Sequence, residues 1–144
     1  MKIYIFFSLI GLLYACQEDD DNNVIIKTNT CGESIIIDAE NYNNAESDAV
    51  TITDITIDND CLIVSFSSSG CDGNTWITQL IDSEAILESN PPQRKLRIIL
   101  NNNEACLAVI TKQKVFDLTE LQIAESNSIF LKFDSLDEEF LYEY

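Results

Sequence analysis

Cys61-Leu62-Ile63-Val64-Ser65-Phe66-Ser67-Ser68-Ser69 places Leu62, Val64 and Phe66 in one phase and Ile63, Ser65 and Ser67 in the other. A period of two assigns one set to each face of a pleated strand, and the β-branched and aromatic content fits that surface. Gly70-Cys71-Asp72-Gly73 then breaks the run with residues suited to tight turns. Beyond the break, Trp76, Thr78 and Leu80 alternate with Ile77, Gln79 and Ile81, which predicts a return strand over Thr75 to Ile81.

Working outward, the same pattern recurs. Upstream, Ser34 to Asp38 contains the continuous run Ile35-Ile36-Ile37, suited to burial on both faces. Glu40 to Asp48 is rich in Asn and acids and reads as a surface loop. Val50 to Ile57 alternates as Val50 and Ile52, then Ile55 and Ile57, so the apolar phase slips at Thr53-Asp54, where a β-bulge would restore one inward face. Asp58-Asn59-Asp60 supplies the following turn. A further short strand is expected at Val24 to Lys27.

Downstream, Asp82 to Glu88 suits a single helical turn, and Asn90-Pro91-Pro92 an extended crossing. Lys95 to Asn101 predicts a strand with Leu96, Ile98 and Leu100 inward and Lys95, Arg97 and Ile99 outward. Cys106 to Lys114, Ser128 to Phe133 and Phe140 to Tyr144 complete eight to ten short strands with no long helical segment. The expected fold is an all-β, antiparallel two-sheet β-sandwich of immunoglobulin-like type, occupying residues 24–144 as a single domain.

Strand direction also bears on the cysteines. Cys61 and Cys71 flank one extended strand, and ten residues at about 3.3 Å each hold them near 30 Å apart, far beyond the roughly 7 Å that a disulfide spans. In strands that run up and down, Cys71 and Cys106 fall at the same end, which leaves Cys31 with Cys61. The spacings lack paired C-x-x-C knuckles and the chain has no histidine, so no metal site and no cofactor are expected.

The start of the chain reads differently. Lys2 is followed by an apolar stretch from Ile3 to Leu13, too short for the roughly 20 residues of a spanning helix, and this is the anatomy of a signal peptide at residues 1–15. Leu13-Tyr14-Ala15-Cys16 resembles a bacterial lipobox, with Tyr14 bulkier than the usual occupant. The resemblance implies cleavage before Cys16 and lipidation of its sulfur and amine, and several acyl chains hold more firmly than one. Gln17-Glu18-Asp19-Asp20-Asp21, within an acidic tether of residues 16–23, resembles the surface-export signal of Bacteroidota lipoproteins; such a run is also a solvated spacer. These resemblances imply a lipid-anchored protein of the outer membrane, exposed at the cell surface. Asp60 to Trp76 is similar to the strand and Gly-Cys turn of small Bacteroidota surface lipoproteins, including the NigD-like group, for which no activity is implied. Asp134-Ser135-Leu136 resembles a short O-glycosylation acceptor of the same organisms.

Composition narrows the chemistry. The chain holds 25 acidic and 8 basic residues, a net charge of −17. That balance repels nucleic acid and anionic headgroups. With no histidine and four cysteines paired, the usual general base and the best nucleophile are both missing. The expectation is a non-enzymatic surface module with a protein or glycan partner, the alternative being a carboxylate-dependent, glycosidase-like surface hydrolase. The candidate ligand loop is Ser69, Asp72, Asn74 and Trp76, held rigid by the adjacent disulfide; for a lone tryptophan at an inward strand position, packing in the core beside a cystine is the commoner role. Asp58-Asn59-Asp60 and Asp72-Gly73-Asn74 offer oxygen ligands, but neither extends into a calcium-binding loop. Arg94, Lys95 and Arg97 either mark a site for an anionic partner or pair with nearby carboxylates.

Overall fold

Leu62, Val64 and Phe66 point into a core shared by two facing sheets, and each is at most 1% exposed. The computed structural model describes residues 31–144; the signal peptide, lipidation at Cys16, tether and strand at Val24 to Lys27 that the sequence leads one to expect all lie outside them. In chain order the elements are β1 (Glu33–Ser34), β2 (Ile36–Ile37), α1 (Ala39–Asn44), β3 (Thr51–Asp58), β4 (Cys61–Gly70), β5 (Ile77–Leu87), β6 (Gln93–Asn101), β7 (Ala108–Asp117), β8 (Ser128–Phe133) and β9 (Glu139–Glu143). One sheet has the order β1-β7-β4-β3 and the other β2-β5-β6-β8-β9. The first contributes Leu62, Val64, Phe66 and Phe116 to the core, and the second Leu80, Leu96, Ile98, Leu100, Ile129, Leu131, Phe133 and Tyr142.

The architecture is therefore all-β and sandwich-like, but the sheets are mixed and not purely antiparallel as expected. β1 runs parallel to β7, β2 to β5, and β6 to β8. The parallel pair β6 and β8 follows from the path of the chain, which leaves the five-stranded sheet after β6, builds β7 in the other sheet, and returns. A second correction concerns β5. It does not pair with β4, whose neighbours are β3 and β7, because the Gly70 to Thr75 segment carries the chain from one sheet to the other.

The bulge falls where the apolar phase predicted it. β3 pairs Ile52 with Phe66 and Asp54 with Ser65, skipping Thr53, and Ile52, Ile55 and Ile57 all pack against the core. Three expectations change. Ser34 to Asp38 is not one strand buried on both faces, since only Ile35 is buried and β1 and β2 join different sheets on either side of it. The expected loop at Glu40 to Asp48 begins with α1, whose N-cap Asp38 accepts from the Asn41 N–H at 2.9 Å while the Asn41 amide donates to the other carboxylate oxygen at 2.8 Å. That helix buries no residue, so it left no apolar periodicity to read. The helical turn expected at Asp82 to Glu88 is instead the bulged continuation of β5, with Glu84 at φ 61°, and the Asn90-Pro91-Pro92 crossing is the loop of the β5–β6 hairpin.

The bulge in β5 has a partner in the fold. Asp82, fully buried, is bridged by Arg94 through Nε to Oδ2 at 3.0 Å and Nη2 to Oδ1 at 2.5 Å, and also accepts from the Glu84 N–H. A buried carboxylate is tolerated only when paired and hydrogen-bonded in this way. α1 packs against β5, where outward Ile81 and its neighbour Ile99 on β6 are both buried.

Candidate functional site

The cysteines pair as Cys31–Cys61 and Cys71–Cys106, with Cα atoms 5.2 and 4.8 Å apart, the connectivity that strand direction favoured. Each bridge ties a loop to a strand end. Beside Cys71–Cys106, the segment between β4 and β5 folds around one carboxylate. Oε2 of Glu104 accepts from the backbone N–H of Cys71, Asp72 and Gly73 at 2.6, 3.2 and 3.1 Å, and Oε1 accepts from the Thr75 hydroxyl at 3.0 Å. Successive backbone N–H groups converging on an anion form a nest. Partial desolvation raises the proton affinity of Glu104, but the bonds from Gly73, Cys71, Thr75 and Asp72 outweigh it and hold the pKa at about 2.

The cradle requires its glycines. A Cβ on Gly70 would lie 2.5 Å from Oε2 of Glu104 and 2.8 Å from the Trp76 ring, and Gly73 adopts φ 68°. Within this loop the residues singled out from sequence have separate tasks. Oδ1 of Asp72 accepts from the Asn74 N–H, Oδ1 of Asn74 accepts from Nζ of Lys112, and Ser69 contributes its carbonyl to the Asn102 amide. Trp76 is buried, its ring centroid 6.2 Å from that of Phe66, so it packs in the core and offers no stacking platform to solvent.

None of those four residues lines the large groove next door. That groove, of about 540 Å³, opens between the segment after α1 and the end of β6, and is walled by Glu46, Ser47, Asp48, Arg97, Asn101, Asn102 and Asn103. Asn102 joins groove to loop. Its N–H donates to Oδ2 of Asp48 at 2.7 Å, its amide donates to the Ser69 carbonyl at 2.6 Å, and its side-chain oxygen accepts from the Glu104 N–H at 2.9 Å. Ser47 accepts from the Leu100 N–H, which fixes the facing wall. At the far side Arg97 donates to the Tyr42 carbonyl at 2.8 Å and pairs with Asp134 at 3.5 Å. Burial raises the pKa of the Tyr42 phenol, as it does that of the Asp134 carboxyl in spite of the pull of Arg97.

The groove thus presents amides, a hydroxyl, two carboxylates and one guanidinium on a frame held by backbone hydrogen bonds. Such a surface offers hydrogen-bond donors and acceptors to solvent. Sequence reasoning missed Glu104, Asn102 and Asp48; apart from the bond between Glu104 and Asn102, the side-chain partners named for them lie 29 to 54 residues away along the chain. Among the described residues no cluster of three His, Cys, Asp or Glu side chains is arranged to hold a metal ion.

Neither protein-family models nor curated proteins match the chain. Two solved structures share its fold. One is a protein of unknown function, DUF1344, from Bacteroides vulgatus ATCC 8482, with TM-score 0.54 and 20% identity over 78% of this chain and 56% of that one. The other is a protein described as toxin-related from Parabacteroides distasonis ATCC 8503, with TM-score 0.50 and 18% identity over 78% of this chain and 60% of that one. The chain spans less than two thirds of the length of either, and at this identity the likeness concerns fold alone.

Proposed function

We propose that this chain is a non-enzymatic, surface-exposed lipoprotein of the outer membrane, anchored through Cys16, that binds a hydroxyl-rich ligand such as a glycan. The observation that carries the binding reading is the open polar groove, in which Glu46, Ser47, Asp48 and Asn101 to Asn103 converge on a braced frame. Carboxylates and amides accept from and donate to sugar hydroxyls, and the groove is open to solvent. The two disulfides fit an oxidising compartment, and the lipid on Cys16 is the anchor of this reading. The immunoglobulin-like class belongs to the same proposal; the packing of Trp76 beside the Cys71–Cys106 loop supports it, and the mixed strand order does not.

Calorimetric titration of the full-length protein with neutral oligosaccharides, repeated on Glu46→Ala/Asn103→Ala, tests the groove. Affinity is expected to fall tenfold or more with the unfolding midpoint unchanged; equal affinity would remove the groove from the reading. Turnover of the oligosaccharide would replace the module with the carboxylate-dependent hydrolase, for which Glu46 and Asp48 are the available pair. Fractionation of Cys16→Ser cells tests the anchor, since a variant that stays in the membrane fraction would sink it. Deletion of Glu18 to Asp21 tests export, which fails as a reading if external protease still reaches the protein.

A further inference from the structure

The outer face of the five-stranded sheet carries a second hollow of about 240 Å³, lined by Tyr42, Lys95, Lys132, Asp134, Leu136 and Asp137. The parallel pairing of β6 and β8 sets Lys95 directly opposite Lys132. Like charges at directly opposed positions destabilise a sheet. In a chain where 25 acidic residues face 8 basic ones, two lysines placed so is an arrangement that the general composition does not produce.

The fold also separates the basic residues that sit together in sequence. Arg94 is buried on Asp82, and Arg97 is engaged by Asp134 and the Tyr42 carbonyl. Lys95 is exposed and makes no ion pair among the described residues, while Lys132 donates to and pairs with Glu139 on β9 at 3.4 Å. Two ammonium groups therefore flank a hollow whose other walls are an aromatic ring, the apolar Leu136, and the carboxylates of Asp134 and Asp137.

We propose that this hollow binds one acidic unit of a saccharide. Its carboxylate or sulfate group sits between the ammonium groups of Lys95 and Lys132, its hydroxyls donate to Asp134 and Asp137, and its apolar ring face lies against Tyr42 and Leu136. A bare inorganic anion would meet the two carboxylates with nothing to offer them, whereas a saccharide brings hydroxyl donors along with its acidic group. A volume below the roughly 300 Å³ lower bound of drug-sized sites suits a single sugar unit. The proposal rests on residues distinct from those named for the neutral ligand, so either holds if the other fails.

The test titrates the full-length protein with oligogalacturonate and chondroitin sulfate tetrasaccharides, a neutral galactan tetrasaccharide, and inorganic sulfate. At least one acidic tetrasaccharide is expected to bind, and Lys95→Met/Lys132→Met, which keeps the aliphatic stems, is expected to lower its affinity tenfold or more relative to the neutral one. Asp134→Asn is expected to weaken the acidic saccharide and to leave sulfate no weaker. Failure of both acidic saccharides to bind, an unchanged acidic-to-neutral ratio in the lysine variant, or sulfate binding as tightly as the saccharide would each overturn the proposal. Retention of the wild-type unfolding midpoint in the lysine variant ties any loss to the site.

Discussion

The two ends of the sandwich use the same parts to different ends. Each has a disulfide, and each gathers polar groups around one carboxylate. At the Cys31–Cys61 end the carboxylate is Asp60, and Tyr142, wholly buried on β9, donates to its Oδ1 at 2.5 Å while the Gln122 amide donates to the phenol oxygen at 2.8 Å. Burial, and the hydrogen bond to Asp60 that favours the neutral phenol, raise the pKa of Tyr142. The Asp82–Arg94 pair lies close by, since Arg94 is opposite Leu131 and Tyr142 is opposite Ile129. At the Cys71–Cys106 end the carboxylate is Glu104, its donors are mainly backbone, and a solvent-open groove adjoins it. The first end is closed, with Tyr142, Asp82 and Arg94 all buried, whereas the second opens onto the groove; the carboxylates of Asp60 and Glu104 are half-buried alike.

The largest effect should come from the closed end. Arg94→Met leaves the Asp82 carboxylate buried without its partner, and denaturant unfolding is expected to show a loss of about 3–5 kcal/mol. A loss under 1 kcal/mol would mean that water reaches Asp82 and that the closed end is not closed. Tyr142→Phe comes next. It removes the phenol that Asp60 and Gln122 share while their direct bond at 3.3 Å remains, and a loss of about 0.5–1.5 kcal/mol is expected by the same measurement. A neutral result would place this network with the exposed polar groups.

The smallest global effect should come from Glu104→Gln, which acts locally. The wild-type carboxyl has its pKa lowered from 4.5 to about 2, so its contribution is complete above pH 4.5, declines as pH falls, and is lost below about pH 2. Protection of the Cys71, Asp72 and Gly73 amides, taken relative to intrinsic exchange at each pH, is expected to fall over that window in the wild type. It should be low at every pH in Glu104→Gln. A pH-independent loop in the wild type would show that the nest does not depend on the charge.

Legibility in the sequence followed the range of the interactions. The alternation in β4 and in β8, where Ile129, Leu131 and Phe133 are fully buried, was readable because each residue's phase is set by its immediate neighbours. The bulge at Thr53 was readable for the same reason, and the disulfide pairing because strand length limits which ends can meet. The continuation of β5 was not. Asp82 points inward where a strand should have an apolar residue, and only Arg94, twelve positions on, makes that acceptable. α1 was missed because its local signal is confined to the Asp38 cap.

By itself the sequence determined an all-β chain, the strand phases of β3, β4 and β8, and the cystine connectivity. These rest on local periodicity and on chain geometry, both of which are one-dimensional. The tertiary structure decided that the sheets are mixed, that Trp76 is core, that Glu104 closes the loop around Gly73, and that Lys95 stands beside Lys132. Each of those depends on which strands become neighbours, and that choice is made by burial of the whole apolar set at once, a quantity no single stretch of sequence contains.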